Sequence, residues 1–304
     1  MLDSIEIKRI ASQVGFDDCG IAKAQRLNDS FFPLTNWLTA GLHADMLFME
    51  RNTDKRSDPR LLMDGAQTVI SLLIAYKPDR TMEGKAKIAQ YAYGDDYHER
   101  LKQLMHSMIS SIKDIDKSFK GRAFVDTAPI SDRHWAVMAG LGSLGKNGLL
   151  IHPLYGSYCF IGEIVTTAQV DKYDKPQPDA FSEPCAGCRR CLDSCPNHAI
   201  VKLTDIAYSV DARRCTSYNT IENRNTLLPE GLDRQGYLFG CDICQLVCPA
   251  NAHVSPAFSL NDDQKNRLEN LKDADEEVFL KTTRHSALNR ISYNQWRRNC
   301  EGIT

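Results

Sequence analysis

The 304-residue chain is 42% hydrophobic and 25% charged, near the globular average, and is long enough for about two domains with a substantial buried core. Its net charge of −2 advertises no polyanionic partner, and it neither supports nor excludes RNA, because an average hides any local basic face. No apolar run reaches the roughly 18 residues that cross a bilayer, and the opening Met1-Leu2-Asp3-Ser4-Ile5-Glu6 lacks the basic start of an export signal, so a cytoplasmic protein is expected.

Taken in chain order, the elements begin as mixed α and β. Ile7, Ile10, Ala11 and Val14 stand at i, i+3, i+4, i+7 and predict an amphipathic helix, followed by the strand-like Cys19-Gly20-Ile21-Ala22. The β-branched apolar run from Thr68 to Tyr76 predicts a buried central strand that ends at Lys77-Pro78. From Asp96 to about Phe119, the residues Leu101, Leu104, Met105, Met108, Ile109, Ile112 and Ile115 recur with helical period, and Lys120-Gly121 supplies a stop. A short strand from Arg122 to Asp126 comes next, then a turn through Pro129 and a helix from about Ser131. The glycine-rich stretch Ala139 to Gly148 and a strand from Tyr158 to Ala168 follow. The polar, proline-bearing Tyr173-Asp174-Lys175-Pro176-Gln177-Pro178 suits a domain boundary. Past Pro256 the chain is polar and helix-prone, acidic from Asp262 to Glu277 and basic from Lys281 to Arg298. The expected division is 1–172, 173–256 and 257–304.

Eleven cysteines are many for a chain whose compartment keeps thiols reduced, so tight clustering points to metal before disulfides. Cys185-x2-Cys188-x2-Cys191-x3-Cys195-Pro196 has the spacing of the bacterial ferredoxin run, in which the fourth thiolate reaches a second cluster. Cys241-x2-Cys244-x3-Cys248-Pro249 repeats the latter part of that run, with Leu238 where the first cysteine should be, and Cys215 can supply the missing thiolate. The crossover assigns Cys185, Cys188, Cys191 and Cys248 to one [4Fe–4S] cluster, and Cys195, Cys215, Cys241 and Cys244 to the other. Two structural zinc sites would also need four thiolates each, but zinc ribbons pair separated C-x2-C knuckles and have no need of a third cysteine at the next step. Cys19, Cys159 and Cys300 read as small buried hydrophobes.

Two clusters conduct electrons, and a ferredoxin needs only the cluster domain; a catalytic or binding domain in the preceding residues is the economical expectation. Its candidate site lies between Phe124 and Gly162. Asp126 ends a strand before a Pro turn, Asp132 and Arg133 follow on the first turn of a helix, and the glycines would let a large ligand approach the backbone. The plainer alternative makes Asp126 a turn residue with Arg133 as its surface ion partner. Gly140 to Gly148 matches neither a dinucleotide fingerprint nor a P-loop.

Val125 to Arg133, Ala139 to Asn147, Gly156-Ser157-Tyr158, Tyr91 to His98, Lys55 to Pro59 and both cysteine runs together resemble the epoxyqueuosine reductases, in order over roughly residues 5 to 255. The resemblance implies an α+β architecture: an N-terminal mixed α/β cobalamin-binding domain, a bacterial ferredoxin-like double-cluster domain and a short helical tail, lacking most of the C-terminal helical repeats of longer relatives. It implies reduction of epoxyqueuosine to queuosine in a tRNA anticodon, with electrons passing from an external low-potential donor through two [4Fe–4S] clusters to cobalamin. It further implies a monomer with no membrane association. Cobalamin itself rests on the resemblance, since Asp132-x-His134 is followed by Val137 where the D-x-H-x-x-G signature requires glycine.

By the same resemblance Asp126 is the proton donor at the cobalt face. Arg56, Ser131, Gly145, Leu150, His152 and Ile161 would line the corrin, and Ser217 would touch it from the ferredoxin side. An acid working near neutral pH needs a raised pKa, which burial beside the macrocycle is expected to supply. Lys281, Arg284, Arg290, Arg297 and Arg298 are candidate phosphate contacts, with Arg189, Arg190, Arg213 and Arg214 near the clusters, each equally readable as a solvated face. A corrinoid reductive dehalogenase and an electron carrier without its own substrate are the rival functions; Asp126 speaks against the carrier.

Overall fold

The computed structural model describes residues 1–27, 33–126, 128–176, 185–204 and 207–303. Thr127 of the Asp126 motif, and Gln177 and Pro178 of the expected boundary, fall outside the described residues. Asp3 caps α1 (Ser4–Val14) by accepting from the backbone N–H groups of Ile5 and Glu6, and Gly15 ends it in the left-handed region at φ +107°. Next come β1 (Asp18–Lys23), the short helices α2 (Leu34–Thr39) and α3 (Thr53–Ser57), and β2 (Thr68–Ala75), buried along its whole length. β3 (Lys87–Ile88), α4 (Tyr97–Ile115), β4 (Gly121–Phe124), α5 (Asp132–Met138), the hairpin of β5 (Ser143–Leu144) and β6 (Leu150–Ile151), and β7 (Cys159–Thr166) follow. The cysteine-bearing part holds α6 (Arg190–Asp193), the hairpin of β8 (Ile200–Lys202) and β9 (Tyr208–Val210), α7 (Thr216–Ile221), β10 (Tyr237–Phe239) and α8 (Ile243–Leu246). Helices α9 (Asp262–Asn270), α10 (Glu276–Thr283) and α11 (Tyr293–Cys300) close the chain.

Helix α4 stops at Ile115, short of the expected Phe119. Ile115 is 58% exposed and so lies off the buried stripe, whereas Phe119 turns back into the core and Gly121 opens β4 instead of capping the helix.

β1, β2, β7 and β4 form one antiparallel sheet in that order. Alternation sends Ile21, Ile70, Leu72, Ile74 and Ile164 to a face packed by Ile7 and Ile10 of α1 and Leu101, Met105, Met108 and Ile112 of α4. The opposite face carries Ala22, Val69, Val165 and Phe124 against Trp135 and Ala139 of α5. A Cβ on Gly20 would meet the Ala139 carbonyl oxygen at 2.2 Å, so α5 lies directly on the backbone of β1.

The C-terminal helices do not extend away as a tail. Leu268, Leu271, Phe279, Leu288 and Trp296 share a core with Ile88 and Tyr93 from the N-terminal part and with Leu238 and Phe239 of β10. β3 and β10 pair in parallel, so residues 87–88 belong to this second core.

Buried amides lock the cysteine-bearing part to the sheet. Gln245 donates to the Tyr76 hydroxyl and the Ser157 carbonyl, and Asn251 donates to the Ser157 hydroxyl and accepts from its backbone N–H. Gly156 makes room for this contact: it sits at φ +56°, and a Cβ there would meet Asn251 Oδ1 at 2.0 Å. Gly156→Ala is therefore expected to destabilise the protein by about 1–3 kcal/mol in denaturant titration.

Candidate functional site

β4 ends at Phe124, two residues short of the expected Asp126, because Asp126 turns the chain at φ +37°. A non-glycine residue in that region is held there by its surroundings. Here the side chain is tied from α4: the Tyr97 hydroxyl donates to Asp126 Oδ2 at 2.9 Å, and His98 Nε2 lies 3.2 Å from the same oxygen. His98 Nδ1 is in turn 2.7 Å from Asp96 Oδ1, the N-cap of α4, which gives a continuous Asp96–His98–Asp126 chain. Tyr97 stacks on Phe160 at 4.4 Å with an interplanar angle of 2°, and Phe160 stacks on Tyr76, so an aromatic column running down to the sheet fixes α4's first turn.

These contacts reverse the expected electrostatics of Asp126. Burial raises its pKa, but the hydrogen bonds from His98 and Tyr97 outweigh burial and hold the carboxyl below its ordinary value. The side chain is 60% exposed, so the desolvation that the sequence reading relied on is incomplete. Burial disfavours the charged form of His98, yet its bonds to Asp126 and Asp96 prevail and lift it above its ordinary value. The proton therefore rests on the imidazole side of the pair. Tyr97 and His98 were present in the Tyr91-to-His98 motif, but nothing in its spacing aimed them at Asp126. Arg133, the expected ion partner, instead donates to the Gly148 carbonyl and acts on Asp126 only at longer range.

Behind Asp126 lies a second acid pair. Glu163 on β7 is fully buried opposite Ser71 and Phe124, and neither of its carboxyl oxygens has a hydrogen-bond donor; Asp132 Oδ1 on α5 is buried in the same state. The two carboxyls face each other, and burial pushes both up, Asp132 to about 7 and Glu163 well above its ordinary value. The unfolded carboxyls sit near 3.8 and 4.5, so the stability contributed by the pair is complete below about pH 4 and is lost as the pH rises through about 7. Relative to Glu163→Gln, the wild-type denaturant midpoint is expected to fall between about pH 5 and pH 7 as this contribution is lost.

Of the expected corrin-lining residues, Arg56 and Ser131 have groups to offer. Arg56 donates to the Phe48 carbonyl, while its Nε is buried without a partner, and the Asp132 and Asp126 carboxylates act on it. Ser131 precedes α5 without using its hydroxyl as a cap. Ser217 lies two residues past Cys215 in the first turn of α7, and Ile161 is partly buried on β7. His152 is taken up by the protein: Nε2 pairs with Asp18 at 2.8 Å, Nδ1 accepts from the backbone of Leu154, and its backbone pairs with Gly156. Leu150 belongs to the core with Leu73 and Leu141.

The glycines of 140–148 do not open the backbone to a ligand, as had been expected. A Cβ on Gly142 would meet the Ile151 carbonyl oxygen at 2.3 Å, one on Gly145 would meet Asn147 Oδ1 at 2.6 Å, and one on Gly140 would meet the Lys175 carbonyl oxygen at 2.9 Å. That space is filled by the protein, and the hairpin it permits reaches the cysteine runs: Lys146 Nζ donates to the Cys188 carbonyl and Asn147 Nδ2 to that of Cys244.

The eight cysteines of the two runs gather in two groups. Cys191 feels Cys185, Cys188 and Cys248, while Cys241 feels Cys215 and Cys195, and Cys244 lies among Cys241, Cys215, Cys191 and Cys195. Burial, joined by repulsion from neighbouring thiolates, pushes Cys191 up to about 11 and Cys241 up to about 12. Among the described residues no three His, Cys, Asp or Glu side chains converge tightly enough to hold a single metal ion.

The basic tail is largely spent on structure. Arg298 is 5% exposed and donates to the carbonyls of Asn219, Asn223 and Asn225, Arg297 donates to that of Lys272, and Arg290 is bidentate on Glu222. Near the clusters, Arg213 is held by Asp211 and Arg189 by Asp193. Lys281 and Arg284 stay exposed. The tail instead supports the Asp126 site, since the His285 carbonyl accepts from the N–H of Asp96.

Residues 56–127 match the family model described as "Epoxyqueuosine reductase QueG, DUF1730", and residues 184–251 match the "4Fe-4S double cluster binding domain". The epoxyqueuosine reductase of Cyclobacterium marinum is 38% identical over 302 residues, which cover 96% of this chain and 94% of that protein. The chain belongs to the epoxyqueuosine reductase family. The family's enzyme from Streptococcus thermophilus superposes with a TM-score of 0.85 at 27% identity, over 99% of this chain and 80% of that one. A family structure holding an epoxyqueuosine-modified tRNA-Tyr stem loop superposes at 0.81, with 27% identity, over 97% and 79% of the two chains. A reductive dehalogenase shares the fold alone, at 16% identity and a TM-score of 0.50 over 36% of its own length. None of the helices among the described residues is long and apolar enough to cross a membrane.

Proposed function

We propose that this chain reduces the epoxide of epoxyqueuosine in a tRNA anticodon stem loop to the alkene of queuosine, consuming two electrons and two protons and releasing the oxygen as water. The observation that carries the reading is the Asp126 carboxyl, presented at an exposed turn and backed by the Asp96–His98 chain, within one fold with a double-cluster domain. A pure electron carrier has no use for such a proton chain, and a dehalogenase shares only the architecture.

Cys185, Cys188, Cys191 and Cys248 would ligate one cluster, and Cys195, Cys215, Cys241 and Cys244 the other, in line with the two electrostatic groups. Cobalamin fits the donors left over: the orphaned Nε of Arg56 and the uncapped Ser131 hydroxyl would hold its polar periphery, with Ser217 on the cluster side. When bound, it supplies a low-potential metal centre that delivers electrons to a carbon–oxygen bond. Asp126 meets the departing oxygen and passes it a proton that His98 restores, while Tyr97 fixes the carboxyl's orientation. Gly145, Leu150 and His152 act one layer back by shaping the hairpin. Residues 1–172 thus form the catalytic part and 173–256 the cluster part, with 257–304 as a buttress whose exposed Lys281 and Arg284 suit phosphate contacts. The reading includes a cytoplasmic monomer charged by an external low-potential donor.

The test is anaerobic purification with cobalamin supplied, followed by metal analysis and conversion of an epoxyqueuosine stem loop. About eight iron and one cobalt per chain with turnover to queuosine support the reading. Iron without cobalt binding or conversion overturns it in favour of a carrier.

A further inference from the structure

The reaction needs two protons per turnover, and the Asp126–His98 chain accounts for one. The exposed side of Asp126 is the side a bound nucleoside covers, so the second proton has to come from within the protein or wait for product to leave. Next to Asp126 the fold places such a group. Glu163 is fully buried with both oxygens lacking any donor, and it faces Asp132, whose Oδ1 is likewise buried and unpartnered. Two carboxylates cannot both stay ionised in such a place, so one proton must lie between them. The arrangement is costly, since the opposite position on β2 is Ser71, whose buried hydroxyl is itself without a partner, and an apolar residue at 163 would pack against Val69 and Trp135 at no electrostatic penalty.

The pair also touches the acid proposed above. The backbone of Asp126 supplies a hydrogen bond to the Asp132 carboxyl, and the charge of Asp126 acts on both members. Arg133 on α5 and Arg56 on α3 are the cations that face Asp132; His98 and Tyr97 on α4 bear on Asp126 from its other side. The charge of the Asp126 carboxylate opposes ionisation of the pair, and once Asp126 has given its own proton to the oxygen it is the base that can accept theirs.

We propose that Asp132 and Glu163 share a stored proton that passes through Asp126 to the departing oxygen as the second proton of the reaction. The balance is simple. Both carbon–oxygen bonds of the epoxide break, two electrons arrive singly from the clusters' external donor, and the oxygen leaves as water. One proton comes from the His98–Asp126 chain and one from the buried pair, which solvent recharges after product release. Asp132 and Glu163 act through Asp126 and never meet the substrate. The inference rests on the reductase reading, but its first readout does not.

Infrared spectroscopy of the protein without substrate, near neutral pH, should show the carbonyl stretch of a buried protonated carboxylic acid. Glu163→Gln, which keeps the volume and can still hydrogen-bond Asp132, should abolish or shift that band, and Asp126→Asn should leave it in place. In single turnover, Glu163→Gln should lose about tenfold at about pH 8 and little at about pH 6, where solvent protons substitute for the stored one. Asp126→Asn should lose activity at both, which separates failure of the reductase reading from failure of this one. Absence of the band, persistence of the band unchanged in Glu163→Gln, or an equal loss of rate at both pH values overturns the proposal. If Glu163→Gln does not fold, Asp132→Asn carries the same comparisons.

Discussion

Asp126→Asn is expected to lower epoxyqueuosine reduction by about 10²–10⁴-fold with little loss of folding, the range typical of a positioned general acid. Asparagine tolerates the left-handed turn at this position and can still accept from Tyr97, so geometry survives while the transferable proton does not. The electrostatics sharpen the expectation. Asp126 is held below the ordinary carboxylate value and His98 above the ordinary imidazole value, so the proton enters the reaction from the His98 side. The wild-type single-turnover rate should therefore fall as the pH rises past the His98–Asp126 pair, above 6.5. His98→Gln should erase that limb and slow the reaction at low pH, while binding the stem loop as the wild type does. A rate for Asp126→Asn within a few fold of wild type removes the assignment.

Cys248→Ala is expected to abolish turnover and to halve the iron, from about eight to about four per chain. The informative comparison lies in the double variants. If Cys248 closes the cluster of Cys185, Cys188 and Cys191, adding Cys191→Ala removes a thiolate from a cluster already lost, and about four iron remain. Adding Cys195→Ala removes the other cluster, and iron falls to near zero. Were each run to close its own cluster, Cys191 and Cys195 would both belong to the cluster that Cys248→Ala spares, and either double variant would fall to near-zero iron.

The sites that make this chemistry differ in how far they could be read from residue order. The cysteine runs were legible as runs, because a spacing such as Cys185-x2-Cys188-x2-Cys191 is itself a local geometry. The major elements α1, β1, β2, α4 and β7 were legible for a similar reason, since the period of burial is written in successive residues. The error at the end of α4 came from counting Ile115 as buried when its neighbours leave it in solvent.

Other properties depend on residues that meet only in the folded chain. Asp126 stood out by its place after a strand, yet its charge state is set by His98, 28 positions earlier, and so the raised pKa expected from burial gave way to a lowered one. Glu163 looked like one more polar residue in a strand; pairing across the sheet and the approach of α5 turn it into half of a buried acid pair. The glycines of 140–148 suggested an open backbone, but the space beside Gly140, Gly142 and Gly145 is filled by Lys175, Ile151 and Asn147. Arg298 suggested phosphate, but carbonyls of residues some 75 positions away consume its donors. The sequence by itself determined the cysteine runs and the order of strands and helices along the chain, which are properties of near neighbours. Only the tertiary structure decided where the protons reside and which charges face solvent, because those depend on what desolvates and what hydrogen-bonds each group from a distant part of the chain.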